Sequence, residues 1–392
     1  MPGHDHAGAR IAEQRKLAGY TQRGFSLIIP YSYSLLHQVE SGHKVATGDF
    51  ISACARALHI DVTALTGQPY MTELQQDRLA ELIRPIRESL DLYDLGADPD
   101  LVLRPTPELI TGADELCQRV RATQLNAAAE TLPRLVAELT TAVHRRPSTE
   151  LWRALASTYR TAHDVSVKLG FFDLSTIALD RMDWAAQRAS DPVLAAVRQY
   201  MRGLVYFREG EHTIGLRLVA AGHNVLGQVD QSTESLAVAG QLHLGATVIA
   251  ARARDGATVQ RHLKEAKRIA KQTGDASEIH WLSFGPANVA IHEVSALGEL
   301  REYGRAVEKA RKVRLPKTWA VSRKAHFYID RARSEMEIGR SDAALRSLVK
   351  AREVAPQQTR YHPAARETIQ GLVAHQRRTP DTLGHMAAWV GL

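Results

Sequence analysis

The chain has 392 residues and a formal net charge of +7, with 44% hydrophobic, 24% charged and only 6% aromatic residues; this describes a packed protein of two or three domains, favours helix over strand, and suits a polyanionic partner or a plain solvated basic surface. Its two cysteines, Cys54 and Cys117, stand far apart and exclude a disulfide framework or a zinc-ligand spacing, which fits a reducing cytoplasm. Residues 1–8 carry no apolar signal core, and no apolar run approaches the roughly 18 residues that span a bilayer, so a cytoplasmic protein with no membrane partner is expected.

In chain order, a first helix reads over 9–18, with Ile11, Ala12 and Leu17 inward and Gly19 as its stop. Thr21 caps a second helix over 22–28, and Pro30 breaks the pattern. Ser32 caps a third over 33–40, with Leu36 and Val39 facing a core and Gly42 ending it. A fourth over 47–58 buries Phe50, Ile51, Cys54, Ala55 and Leu58; Ile60, Val62 and Leu65 close the small core. Five short helices with a tight turn between the second and third follow the helix-turn-helix plan.

The run Thr21-Gln22, then Ser32-Tyr33-Ser34-Leu35-Leu36-His37-Gln38-Val39-Glu40-Ser41-Gly42, resembles the phage-repressor type of helix-turn-helix over residues 9–67. In that family a Gln opens the second helix, and the recognition helix ends in an apolar residue, Glu, any residue, Gly. This chain departs at the turn, where Phe25-Ser26-Leu27-Ile28-Ile29-Pro30 replaces the usual small residue and Gly. The resemblance implies a double-stranded DNA partner. A helix seated in the major groove reads bases there, because each base pair presents a distinct donor and acceptor pattern. Tyr33, Ser34, His37 and Gln38 are then the candidate base readers. Gln22 and Arg23 at the start of helix two, with Ser32, His43 and Lys44 flanking helix three, are the candidate phosphate anchors, setting register rather than specificity. The head is weakly charged, so one copy is expected to bind poorly and a homodimer is expected.

A long amphipathic helix over 72–93 carries Leu74, Leu79, Leu82, Ile83, Ile86 and Leu90, and includes Pro85, which is expected to kink it. It reads equally as core packing or as a lever or dimer element. Pro99, Pro105 and Pro107 make 96–107 the best linker. From 108 onward, helix, short turn and helix recur, with turn glycines Gly170, Gly210, Gly256, Gly298 and Gly339 spaced by roughly 40 to 46 residues. The expected fold is therefore all-α: a five-helix head (1–70), a linker helix and loop (71–107), and an α-solenoid of helical hairpins (108–392) that dimerises and senses. Gly203, Tyr206 and Gly210 in one unit, and Gly339 with Ala344 in another, resemble tetratricopeptide repeats. The whole arrangement is similar to actinobacterial regulators that join a phage-repressor head to such a body, as is the run from Phe284 to His292. A related Gram-positive family binds signalling peptides in its repeat groove, so the resemblance implies ligand-gated transcription control, as in quorum sensing, without naming the ligand.

Aligning the units by their turns puts Arg160, Tyr200, Gln241, Asn288 and His326 on one groove-facing row, with Asp164 and Arg333 further on. Such a row suits a peptide backbone or a small polar molecule, or is an ordinary hydrated groove. Trp281 and Phe284 read as core. Between 299 and 324, nine basic residues face three acidic ones, a run that suits DNA flanks, an acidic ligand or a solvated helix face. No phosphate-binding glycine loop, nucleophile elbow or two-histidine zinc helix occurs; His4-Asp5-His6 would bind metal only incidentally. No catalytic residue, metal or cofactor is assigned and an enzyme is not expected. The competing reading is a protein-interaction scaffold whose head has lost DNA binding.

Overall fold

The computed structural model describes residues 6–68, 73–317, 319–375 and 380–392, with the side chains of the long helix described from 81. His4, Asp5 and Thr72 fall outside the described residues, as do the Leu74 and Leu79 side chains. Among the described residues the fold is all-α, a solenoid of helical hairpins behind a small helical head, with one isolated bridge, Ala276 to Phe284, and no strand.

The head comprises α1 (Ala7–Leu17), α2 (Gln22–Ser26), α3 (Tyr33–Glu40), α4 (Gly48–Leu58) and α5 (Val62–Thr66). Its helices start where side chains can take up free backbone N–H groups. The Thr21 hydroxyl accepts from Gly24 N at 3.0 Å, that of Ser32 from Leu35 N at 3.3 Å, and the Asp61 carboxylate from Thr63 N at 2.7 Å. Ile11, Phe25, Leu36, Val39, Phe50, Ile51, Cys54 and Leu65 pack into one core. α2 stops at Ser26, two residues before the expected end, and the connection to α3 is correspondingly longer than a tight turn. The bulk at the turn is divided: Phe25 and Ile29 go into the core, while Leu27 and Ile28 face outward.

The body runs through α6 (Glu73–Leu90), α7 (Thr106–Arg121), α8 (Leu125–Arg145), α9 (Thr149–Leu169), α10 (Phe172–Arg188), α11 (Pro192–Glu209), α12 (His212–Leu226), α13 (Thr233–Arg252), α14 (Gly256–Thr273), α15 (Pro286–Glu299), α16 (Tyr303–Lys312), α17 (Val321–Glu337), α18 (Ser341–Val354), α19 (Pro356–Tyr361), α20 (Pro363–His375) and α21 (Asp381–Val390). Helices pair as α9 with α10, α11 with α12, α13 with α14, α15 with α16 and α17 with α18. The core is a chain of neighbouring clusters, the first spanning α6 to α13 and the later ones bridging α13–α15, α15–α17 and α17–α21. That is what stacked units with nearest-neighbour contacts produce. Ile83, Ile86 and Leu90 of α6 lie in the first cluster, and Arg181 Nε donates to the Leu90 carbonyl at 2.9 Å. This end of the long helix is core, not a free lever. Pro85 lies inside it.

Three of the five expected glycine turns hold: Gly170, Gly210 and Gly339 take φ of 91°, 76° and 76°. The other two do not. Gly256 opens α14 and Gly298 lies inside α15, and the left-handed residues there are Arg254 (φ 62°) and Arg301 (φ 63°). A non-glycine residue in this region costs on the order of 1 kcal/mol. A second departure is the loop 274–285, in which His280, Trp281, Ser283 and Gly285 all have positive φ. It tucks Leu282 and Phe284 into the interior, while Trp281 is only half-buried. Gly285, at φ 152°, takes a conformation open only to glycine, and a Cβ there would stand 3.2 Å from the Asp275 Cα.

The solenoid curls until its ends meet. α17 touches α7 and α19 touches α9. The Gln357 amide oxygen accepts from Leu125 N at 2.8 Å, and Lys168 Nζ donates to the Gln358 amide oxygen at 2.7 Å.

Candidate functional site

The α3 face that points away from the head core is open. Ser32, Tyr33, Ser34, His37 and Gln38 are exposed, as are Arg23 beside them and His43 and Lys44 after the helix. The amphipathic spacing of α3 causes this: Leu36 and Val39 turn inward and their neighbours turn out. The Tyr33 and His37 rings stack with centroids 6.2 Å apart, and the Ser41 hydroxyl lies 2.8 Å from His43 Nδ1. Gln22 is placed differently from a free phosphate anchor. Its amide donates to the Glu40 carboxylate at 2.7 Å, and Arg15 donates to both oxygens of that carboxylate at 2.7 and 2.8 Å. Glu40 thus ties α1, α2 and α3 together, and Gln22 keeps one amide hydrogen for an outside acceptor.

The body encloses the second candidate site, a cavity of about 440 Å³. Each inner helix gives it a stripe at three- and four-residue spacing: His292, Ser295 and Glu299 from α15, and Arg323, His326, Asp330 and Arg333 from α17. Of the expected groove row, Tyr200, Gln241 and His326 line the cavity, together with Asp164 and Arg333. Asn288 stands behind them: its amide donates to the Gln241 oxygen at 3.1 Å, and its own oxygen accepts from Arg323 at 2.8 and 3.1 Å. Gln241 in turn donates to the Tyr200 hydroxyl at 2.8 Å. Arg160 is displaced from the expected row. It is buried outside the lining, and its guanidinium donates to the His280 carbonyl of the positive-φ loop.

Sequence reasoning missed the junction of head and body. One edge of the cavity is built by the head, through Gly48, Ile51, Ser52, Val62 and Thr66. The Ser52 hydroxyl donates to the Arg208 carbonyl at 2.9 Å, and Arg56 donates to that of Gly210. Asp49 is the centre of the contact. It accepts from Arg254 and Arg301 at 3.0 Å each, from the Tyr31 hydroxyl at 2.8 Å, and from Thr47. Burial alone would raise its pKa, but the hydrogen bonds from Thr47, Arg254 and Tyr31 and the charge of Arg301 outweigh burial and hold the carboxyl well below the usual carboxylate range. The two arginines that replace glycine in the body's turns are therefore the two that grip the head. The sequence carried no signal of this, because the turns there were expected on Gly256 and Gly298 rather than on Arg254 and Arg301. Behind them, Arg252 and Arg333 hold the buried Glu299 carboxylate; burial opposes ionisation there, yet the two guanidinium groups keep the pKa at about 2. Of the basic run 299–324, Arg301 is committed to the head and Arg323 to the cavity, while Arg305, Lys309 and Lys312 pair with Glu302, Glu293 and Glu308.

No protein-family model matches the chain, and no solved structure matches it. Among curated proteins, the uncharacterized HTH-type transcriptional regulator YazB of Bacillus subtilis (strain 168) is 38% identical over 58 residues, which is 15% of this chain and 84% of that protein. The matched length is that of a helix-turn-helix head, and no described helix is long and apolar enough to cross a membrane. By its helix-turn-helix, the chain belongs to the HTH-type transcriptional regulators.

Proposed function

We propose that the protein is a sequence-specific DNA-binding transcription regulator that acts as a homodimer, reads its operator with α3, and is modulated by a ligand held in a tetratricopeptide-like body. The observation that carries this reading is the open face of α3. Tyr33, Ser34, His37 and Gln38 point to solvent from a helix fixed on its other side by Leu36 and Val39, even though the head is docked on the body. A side chain that presents both an apolar ring and a polar tip suits the thymine methyl and the base-edge acceptors of the major groove, and Gln38 suits the paired donor and acceptor of adenine. Arg23 and Lys44 lie beside this face to meet phosphates.

The test is a gel-shift titration on genomic fragments at fixed salt, comparing wild type with a Tyr33→Ala, His37→Ala variant. Both side chains are exposed, so folding is untouched. The expected loss in specific affinity is about tenfold or more, with binding to random DNA much less affected. Unchanged specific affinity means α3 is not the reading helix.

A further inference from the structure

We propose that the cavity between head and body binds a small amphipathic anion, a carboxylate or phosphate group on an apolar chain or ring, with Arg121, Lys168 and Arg323 holding the charge. This rests on the regulator reading above only for its consequence, that the ligand would act on the head; the site is argued from its own chemistry.

Three cations converge on one side of the cavity from three helices, Arg121 at the end of α7, Lys168 at the end of α9 and Arg323 at the start of α17. One carboxylate stands among them. Asp164 accepts from Arg121 at 2.7 Å, and the Arg121 Nε atom is buried without a partner among the described residues. Lys168 and Arg323 hydrogen-bond only neutral partners there, Lys168 the Gln358 amide at 2.7 Å, Arg323 the Asn288 amide at 2.8 Å and His292 Nδ1 at 3.2 Å; Asp164 and Asp330 favour their charged forms from a distance, without outweighing burial. Burying a cation without a counter-charge is costly. Burial, and then the charge of Arg121, push the Lys168 ammonium down to about 7. Burial likewise lowers Arg323. The neighbouring rings add no charge of either sign, since burial keeps His292 and His326 neutral at pH 7. Of the other acids of the wall, Glu299 is ionised but held by Arg252 and Arg333, while Asp330, which feels both Arg333 and Arg323, and Glu367 are pushed toward their neutral forms by burial. An anion is what the cationic corner lacks.

The rest of the lining sets the other half of the ligand. Phe172, Met201, Leu204 and Phe207 from the body and Ile51 and Val62 from the head present apolar surface to the same space. A volume of about 440 Å³ is the size of a metabolite site. An extended peptide running along the solenoid would meet the contacts that join its ends, Leu125 to Gln357 and Lys168 to Gln358. Because α4 and α5 form part of the wall, occupancy changes how firmly the head is held.

The experiment is calorimetric titration of the full chain with octanoate, octyl phosphate, octanol and octylamine, beside Lys168→Met and Arg323→Gln variants whose thermal melting is checked. We expect both anions, or one of them, to bind at least tenfold more tightly than octanol and octylamine; which one binds better identifies the head group. Each variant should weaken the anion by about tenfold without changing octanol binding. Equal affinity for octanoate, octyl phosphate and octanol, or tighter binding of octylamine, overturns the proposal. That comparison uses wild-type protein alone, so it stands if a variant fails to fold. Gel shifts on the same preparation separate the two readings. DNA binding without anion selectivity sinks the site and leaves the regulator, and anion selectivity without DNA binding does the reverse.

Discussion

Asp49 shows how one side chain can join two parts of a protein. It is mostly buried, and two of its four partners are arginines in a backbone conformation that costs energy. That cost is offset only while the carboxylate is there to receive them. Replacing Asp49 with Asn keeps the shape and removes the charge, leaving Arg254 and Arg301 facing each other across an amide. The head should loosen from the body by about 1–3 kcal/mol. Hydrogen exchange reads this directly: the amides of α4 should exchange faster by about tenfold or more, with those of α9 unchanged. Identical exchange in α4 would show that Asp49 is not what holds the head. None of this was visible beforehand, because a single Asp at a helix start is an ordinary capping residue. Tyr200, Gln241 and His326 were legible, since helical periodicity and turn spacing together fix which side of a helix faces inward. Arg160 was misplaced for a definite reason. The loop 274–285 is an insertion into the hairpin pattern, and its His280 carbonyl takes the guanidinium that register alone sent to the groove.

At the level of elements, the head was the easiest part to read. Thr21 and Ser32 start α2 and α3 as their hydroxyl chemistry requires, and the residues expected in the α4 core are all buried. The length of α2 was not readable, because Ile29 enters the core from beyond the end of the helix that carries Phe25, which only the packing partners decide. The head also carries a quantitative expectation. Arg15 is tied to Glu40 and Arg56 to the body, whereas Lys16, Arg23 and Lys44 are exposed. A head that meets phosphates through all three of these cations gives a slope of log K against log salt of about −3, and two such heads about −5. A titration of operator affinity between low and moderate salt distinguishes these, and a slope near −3 would argue against two heads engaging one operator.

For the whole molecule, eight buried and half-buried histidines set the acid limit. Burial lowers His163, His223 and His362 to about 4 and His243 and His292 to about 3, and lowers His212, His262 and His326 as well. In the unfolded chain these rings take protons near pH 6.5, so below that pH unfolding binds protons and stability falls until the folded values are reached. Glu209, Asp330 and Glu367 oppose this, since burial raises them and they favour the folded state at lower pH, but they are three against eight. The melting temperature should therefore drop between pH 7.5 and pH 5; a flat or rising profile would contradict the buried, neutral state of these rings. The all-helical repeat plan was evident from the turn spacing, whereas its curvature was not, because small rotations per hairpin accumulate beyond what local pattern encodes. That curvature has one more result. An open row of hairpins frays from either end, each unit lost at the expense of one neighbour. Here Gln357 and Gln358 of α19 bind residues of the first hairpins, so the row is tied into a loop, and undoing its last turn also strips a cover from its first. Such a body comes apart as one unit or not at all.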